Sequence, residues 1–300
     1  MQPTLGGFRS GGHAVVLDPA AQNVYFIDQN NSTTNSQIWR VPTTGSGGQV
    51  FAPGLSWPVA LAVDSSNVYW TDINDAFVYA QSLSGGAPRV LATGQYYPMD
   101  IAVLDSQTLY WTACTDRTGA QCYIWSLPVG GGTPSAIYAL SGGGNPSLSL
   151  LYPNLYVASL GLRAVLSIAV GPGGTTATLD SGGPIFSVAA AAGNVAWLYG
   201  ESAMGASDGL VKAATIGFSP VLVAAGQNPY AVAVDANYAY WANQNDANVF
   251  YGTIVKAPTY GGSLTVLVTH ASTFDIAIDS TYVYWLGFDD SANGLFRSPK

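Results

Sequence analysis

The chain has 300 residues, of which 48% are apolar and only 9% are charged, and its net charge at pH 7 is −8. This apolar fraction excludes a disordered chain, and the scarcity of Glu and Lys excludes a coiled coil. The negative charge would repel nucleic-acid phosphates, and no apolar stretch is long enough to span a bilayer. Frequent Gly and Pro (35 and 17 residues) predict many turns.

The N-terminal segment contains a strand-like stretch, residues 4–10, ahead of the first copy of a repeated pattern. It has no basic region followed by an apolar region, so the sequence predicts no signal peptide. The clearest copy of the pattern comes next along the chain. It consists of four strand-like runs, residues 58–64, 68–72, 77–79 and 89–94, separated by turn residues.

Seven copies of this pattern account for the whole chain. One position, usually Trp on the second strand, recurs every 40–46 residues, at Phe26, Trp70, Trp111, Val157, Trp197, Trp241 and Trp285. A period of this length with four strands per unit is typical of β-propellers. The sequence therefore predicts an all-β, seven-bladed β-propeller, with the large rings of the second strands packed between neighbouring blades.

The two ends of the chain are predicted to share a blade. After Trp285 the last copy supplies only its third strand, near residues 294–297, and residues 4–10 lie where a fourth strand belongs. We therefore expect one domain over residues 1–300, with residues 1–12 completing the seventh blade and leaving no free sheet edge. We also expect the protein to be a monomer.

Residues 69–72 read Tyr-Trp-Thr-Asp, and close variants occur at residues 110–112, 240–242 and 284–286. With the preceding Ala-Val-Asp, this pattern resembles the YWTD-type propeller repeats of low-density-lipoprotein-receptor-like proteins, and more closely their secreted or surface relatives in bacteria. The resemblance implies a propeller that acts as a binding platform. Two departures are that this receptor family generally has six blades and that only one copy here carries the full motif.

Two cysteines flank a predicted loop in the third copy. Cys114 follows one strand-like run and Cys122 precedes the next. Because an antiparallel return would bring the two side chains together, the sequence predicts a disulfide, with two reduced thiols as the alternative. The disulfide would place the protein in an oxidising, extracytoplasmic compartment, secreted or at the cell surface.

The loops after each second strand and before each first strand are expected to share one face, around a central channel. The first set is rich in Asp and Asn, and the second set carries aromatic residues. We predict a ligand site on this acidic, aromatic-lined face, for a carbohydrate, peptide or protein. Its candidate residues are Trp57, Tyr97, Asp100, Tyr230, Phe274 and Asp275. The alternative is that Asp and Asn only form turns and that the rings only pack between blades.

A second hypothesis is a metal-dependent lyase or hydrolase at the channel mouth. His13, His270 and Asp275 could lie in one sector there, hold a divalent cation and act in general-base chemistry. Apart from this candidate cation, no cofactor is predicted. A third hypothesis is a structural module of a larger surface protein. The aspartates at the first turn of each copy (Asp18, Asp64, Asp105, Asp235 and Asp279) are interpreted as turn residues.

Overall fold

A computed structural model of the protein describes residues 14–29, 35–104, 106–142, 144–171, 173–200, 209–244, 252–288 and 293–300. Every regular element in this part of the chain is a β-strand, so no helix capable of crossing a bilayer occurs among these residues. The strands form antiparallel sheets in sequence order, and the fold is a seven-bladed β-propeller, as predicted.

The chain divides into two compact units, Met1–Asn145 and Pro146–Lys300. The first unit holds blades 1 to 3, each with four strands. Blade 1 comprises β1 (Val15–Leu17), β2 (Asn23–Asp28), β3 (Ser36–Pro42) and β4 (Gln49–Leu55). Blade 2 comprises β5 (Pro58–Val63), β6 (Asn67–Asp72), β7 (Phe77–Ser82) and β8 (Arg89–Ala92). Blade 3 comprises β9 (Pro98–Leu104), β10 (Thr108–Cys114), β11 (Gln121–Pro128) and β12 (Ser135–Ser141).

The second unit holds blades 4 to 7. Blade 4 comprises β13 (Ser147–Leu151), β14 (Asn154–Ser159), β15 (Ala164–Ala169) and β16 (Thr176–Ser181). Blade 5 comprises β17 (Ile185–Ala191), β18 (Asn194–Tyr199), β19 (Gly209–Thr215) and β20 (Val221–Gln227). Blades 6 and 7 comprise β21 (Pro229–Val234), β22 (Tyr238–Asn243), β23 (Gly252–Pro258), β24 (Thr265–Ile278), β25 (Tyr282–Phe288) and β26 (Asn293–Pro299).

Strand β24 belongs to both of the last two blades. Its first part pairs with β23 up to Ala271, and its second part pairs with β25 from Ser272 onward. The described part of blade 7 therefore has three strands. Its expected fourth strand falls in residues 1–12, outside the described residues, so the single domain and its shared blade stay predictions.

The register of the sheets confirms the alignment of the seven copies. In every blade the aligned residue of the second strand lies opposite an aliphatic residue of the first strand. The pairs are Phe26–Val15, Trp70–Leu61, Trp111–Ile101, Val157–Leu148, Trp197–Val188, Trp241–Val232 and Trp285–Ile276. These second-strand residues are buried. Trp241, for example, packs with Leu198 and Val211 of the preceding blade, so the rings do lie between neighbouring blades.

The first-turn aspartates Asp18, Asp64, Asp235 and Asp279 are turn residues, as interpreted, whereas Asp105 lies outside the described residues. Asp64 Oδ1 accepts the N–H groups of Ser66 and Asn67, both at 2.7 Å, and Oδ2 accepts the hydroxyl of Tyr69 at 2.7 Å. The same three contacts recur around Asp235 and Asp279. These aspartates therefore fix the turn and also satisfy a tyrosine hydroxyl five residues later.

Candidate functional site

Loops of blades 2 and 3 enclose a cavity of about 240 Å³ in the first unit. Two of the lining residues, Trp57 and Tyr97, are aromatic residues predicted to bind a ligand. We call this space the Trp57 cavity, and define it by its lining residues Trp57, Ile73, Asn74, Tyr97, Met99, Arg117 and Asn145. Loops before a first strand and loops after a second strand thus meet at one place in this unit, as the propeller pattern predicted.

Trp57 is held by the carboxylate that ends the Tyr-Trp-Thr-Asp motif. The N–H of Trp57 donates to Asp72 Oδ2 at 2.9 Å, and the carbonyl of Trp57 accepts the N–H of Ile73 at 3.0 Å. Asp72 Oδ1 also accepts the N–H groups of Asn74 and Asp75, both at 3.1 Å. One buried carboxylate therefore fixes both the Trp57 loop and the turn that carries Asn74.

The electrostatics of Asp72 follow from its burial. Its side chain is 0% exposed. Burial raises the pKa of Asp72 to about 6, the backbone N–H donors oppose this rise, and the nearby charge of Asp75 adds to it. The Asp72 carboxylate is buried and is not among the groups that line the cavity.

Tyr97 and Arg117 form a pair on another side of the cavity. The Nε–H of Arg117 donates to the Tyr97 hydroxyl, and the guanidinium carbon lies 5.7 Å from the centre of the Tyr97 ring. The carbonyl of Tyr97 accepts the N–H of Cys114 at 3.2 Å. Tyr97 has φ +42°, in the left-handed region that bulky residues rarely adopt. The contacts around Tyr97 therefore hold its backbone in a conformation that a bulky residue would otherwise disfavour.

The loop that carries Arg117 is closed by the predicted disulfide. Cys114 and Cys122 lie opposite each other in β10 and β11 and are bonded. Within the loop, Asp116 Oδ1 accepts N–H groups from Thr118 and Gly119, at 2.8 and 3.1 Å. The loop is thus fixed at its base by a covalent bond and at its tip by a side-chain-capped turn.

Gly119 brings this loop against the segment that precedes Asn145. It has φ +65°, and a Cβ at this position would lie 2.8 Å from the backbone nitrogen of Gly144. Only glycine fits there without movement of one of the two backbones. This close approach positions Asn145, the last lining residue, next to the Arg117 loop.

The other predicted ligand residues lie elsewhere. Asp100, on β9, is fully buried, and its Oδ1 accepts the N–H of Ile101 at 2.8 Å. Asp275 is the equivalent residue of β24 and is 5% exposed, with the same contact to the N–H of Ile276 at 2.9 Å. In the second unit, burial raises the pKa of Tyr230, and the charge of Asp275 raises it further, so these two side chains are close. The side chain of Phe274 lies outside the described residues.

The candidate metal ligands are only partly described. His13 lies outside the described residues. His270, expected in a loop, instead lies within β24 at a bulge, between the residues that pair with Gly252 and Thr253, with φ +60°. Within the described ranges no group of three His, Cys, Asp or Glu residues could hold a metal ion. The proposed His13, His270 and Asp275 set stays a prediction.

Sequence reasoning missed Arg117, Asn74 and Asn145 as lining residues. Arg117 had a usable signal, since it lies between the two cysteines of a predicted closed loop. It also changes the expected charge of the site. The predicted face was acidic, but two of its loop aspartates, Asp28 and Asp72, are buried, and the charged group that lines the Trp57 cavity is a guanidinium.

Comparisons with known proteins support the fold and no family. No protein-family model matches the sequence, and no curated protein matches it significantly. Among solved structures, U3-55K is similar over 99% of this chain and 97% of its own, with TM-score 0.69 and 11% identity. BamB from Moraxella catarrhalis is similar over 96% of this chain and 84% of its own, with TM-score 0.61 and 12% identity. A chain of a nidogen/laminin complex is similar over 66% of this chain and 73% of its own, with TM-score 0.54 and 18% identity. Likeness at these identities shows the propeller fold alone.

Proposed function

We propose that this protein is a non-enzymatic binding propeller that works outside the cytoplasm and holds part of its ligand in the Trp57 cavity. One observation carries the proposal. Two aromatic side chains from different blades and a guanidinium from a disulfide-closed loop line one cavity. Backbone hydrogen bonds hold Trp57 and Tyr97, and the Tyr97 hydroxyl holds Arg117. Preformed cavities with rings and a few placed polar groups are typical of binding sites.

The chemistry of the lining residues supports recognition. Trp57, Ile73 and Met99 offer apolar surface, the asparagine amides both donate and accept hydrogen bonds, and Arg117 offers a positive charge. The cavity is smaller than the roughly 300–1,000 Å³ of drug-sized ligand sites. It therefore suits one ring or one side chain of a larger carbohydrate, peptide or protein.

Three further observations support the extracytoplasmic binding role. The disulfide is typical of proteins that work in oxidising compartments. The Tyr-Trp-Thr-Asp copies resemble repeats of receptor propellers, which are binding platforms. One structure with the same fold belongs to a nidogen/laminin complex. We also propose that this protein is a propeller of the YWTD type and that it acts as one monomeric domain.

The two other hypotheses lack a supporting observation of this kind. A metal-dependent lyase or hydrolase would use His13, which is outside the described residues, together with His270 and Asp275. A purely structural module would have no use for a cavity with fixed rings and a fixed guanidinium.

A ligand panel read by thermal unfolding tests the proposal. Neutral and acidic sugars, acidic and basic peptides, Ca²⁺ and EDTA would each be added to the wild type, Trp57→Ala and Tyr96→Ala. Tyr96 is the matched control because it is a 65% exposed neighbour of Tyr97 that does not line the cavity. A ligand at a hundred times its Kd raises the unfolding free energy by about 2.7 kcal/mol.

We expect a sugar or peptide to raise the Tm of the wild type and of Tyr96→Ala but not of Trp57→Ala. A shift produced by Ca²⁺ alone and abolished by EDTA would contradict the proposal and favour the metal-dependent enzyme. A shift that survives Trp57→Ala would show that the ligand binds elsewhere, and no shift with any compound would favour the structural module.

A further inference from the structure

We infer that the Trp57 cavity recognises a sugar residue that carries a carboxylate, such as a uronate. The inference rests on the proposed function and narrows it to one ligand class. Its starting point is that a chain with a net charge of −8 places a guanidinium at the cavity, while the nearby Asp72 is buried and turned toward backbone N–H groups. The charged side chain that lines the cavity is therefore cationic, whereas the molecule as a whole is negative.

Arg117 is oriented to bind an anion. Its Nε–H donates to the Tyr97 hydroxyl, which holds the guanidinium beside the Tyr97 ring. Within the described residues its two Nη groups have no hydrogen-bond partner, and the side chain is exposed. Two free N–H groups in one plane match the two oxygens of a carboxylate, an arrangement that a lysine could not reproduce.

The remaining lining residues favour a sugar ring over an acidic peptide side chain. Trp57 is half-buried and offers a flat apolar surface, and the buried Met99 and the half-buried Ile73 add to that apolar lining. The apolar face of a pyranose can lie on such a surface. Asn74 and Asn145 carry amides that donate and accept, as the hydroxyl groups of a sugar also do. The side chain of Asp or Glu would use the guanidinium but has no ring to lie on Trp57.

The volume of the cavity limits the part of the ligand inside it to about one sugar residue. A cavity of about 240 Å³ is too small for several rings, so neighbouring sugars would extend outside it. The uronate would therefore be a terminal residue or one projecting residue of a longer glycan.

The test is a calorimetric titration with two oligosaccharides that differ only in their terminal residue, glucuronate or glucose. An Asp-containing peptide is the third ligand. Each is titrated into the wild type, Trp57→Ala, Arg117→Met and Arg163→Met. Arg163 is the matched control because it is also an exposed arginine but does not line the cavity; it donates to the carbonyl of Gly182 at 3.2 Å.

We expect the glucuronate oligosaccharide to bind at least tenfold more tightly than its glucose counterpart. Arg117→Met should remove that preference and Arg163→Met should keep it. Two results would overturn the inference: equal binding of the two sugars, or binding of the peptide alone. If Trp57→Ala still abolishes the binding in either case, the proposed function stands. If no ligand binds in a Trp57-dependent way, both are overturned.

Discussion

Replacing Asp72 with Asn should change both the stability of the first unit and the geometry of its cavity, and the two effects can be measured separately. The carboxylate is 0% exposed and accepts three backbone N–H groups, including that of Trp57. An amide has a single acceptor oxygen, so the N–H of Trp57 would face an amide nitrogen. An unsatisfied buried N–H costs about 1–3 kcal/mol.

The magnitude of the pH effect follows from the pKa of Asp72. Burial raises this pKa from 3.8 to about 6, which corresponds to about 3 kcal/mol. The native state binds the proton more tightly than the unfolded state does. The stabilisation from this group is therefore fully present below pH 3.8 and is lost as the pH rises through about 6. Asp72→Asn cannot titrate, so its free energy of unfolding should lack this loss.

Urea unfolding of the wild type and Asp72→Asn at pH 4 and pH 7 measures this difference. We expect the variant to gain about 2 kcal/mol in unfolding free energy relative to the wild type between these two pH values, because part of the full effect is already lost at pH 4. Ligand binding should nevertheless weaken at pH 7, because the Trp57 loop is no longer held. Asp64→Asn is the control for loss of a turn aspartate in the same blade, and it should leave binding unchanged. A stability difference that is the same at both pH values would refute the reasoning.

Three further predictions concern the segments around the site and the C-terminal residue. Reduction of the disulfide should lower the unfolding free energy by about 2–3 kcal/mol in denaturant titrations and should weaken ligand binding. Gly119→Ala should lower the melting temperature more than Gly94→Ala does, because Gly94 has nearly the same φ but open space around it. Equal melting temperatures of the two variants would contradict the close approach of Gly119 to Gly144. Burial opposes ionisation of Asp235, but the ammonium of Lys300 and backbone donors outweigh it and lower the pKa of Asp235 to about 2. Lys300→Met should therefore cost under about 1 kcal/mol at pH 7, and the loss should fade as the pH falls from 4 towards 2 in acid-unfolding curves.

The fold could be predicted because the same local pattern is repeated along the chain. Each copy alternates turn residues with short β-branched and aromatic runs, and the aligned residue of the second strand, large in six copies, occupies the same register position in every sheet. Even the degenerate fourth copy, with Val157 in place of Trp, keeps its pairing with Leu148. The repeat could not predict that β24 runs without a break through two blades, because a bulge at His270 replaces the expected loop.

The candidate site could be predicted only in part. Trp57 and Tyr97 stood out because aromatic residues directly precede a first strand. The cavity itself depends on contacts between segments far apart in the sequence, such as Gly119 against Gly144. The sequence pattern also could not predict the burial of Asp72, because an aspartate at a turn is expected to be exposed unless its backbone donors are known.

Titration of the ¹⁵N-labelled chain with the glucuronate oligosaccharide, followed by NMR, tests the central claim most directly. We expect the indole N–H of Trp57 and the backbone amides of residues 72–75 and 115–121 to shift together with one Kd. Shifts confined to the second unit, around Tyr230 and Asp275, would contradict the account and place the ligand site there.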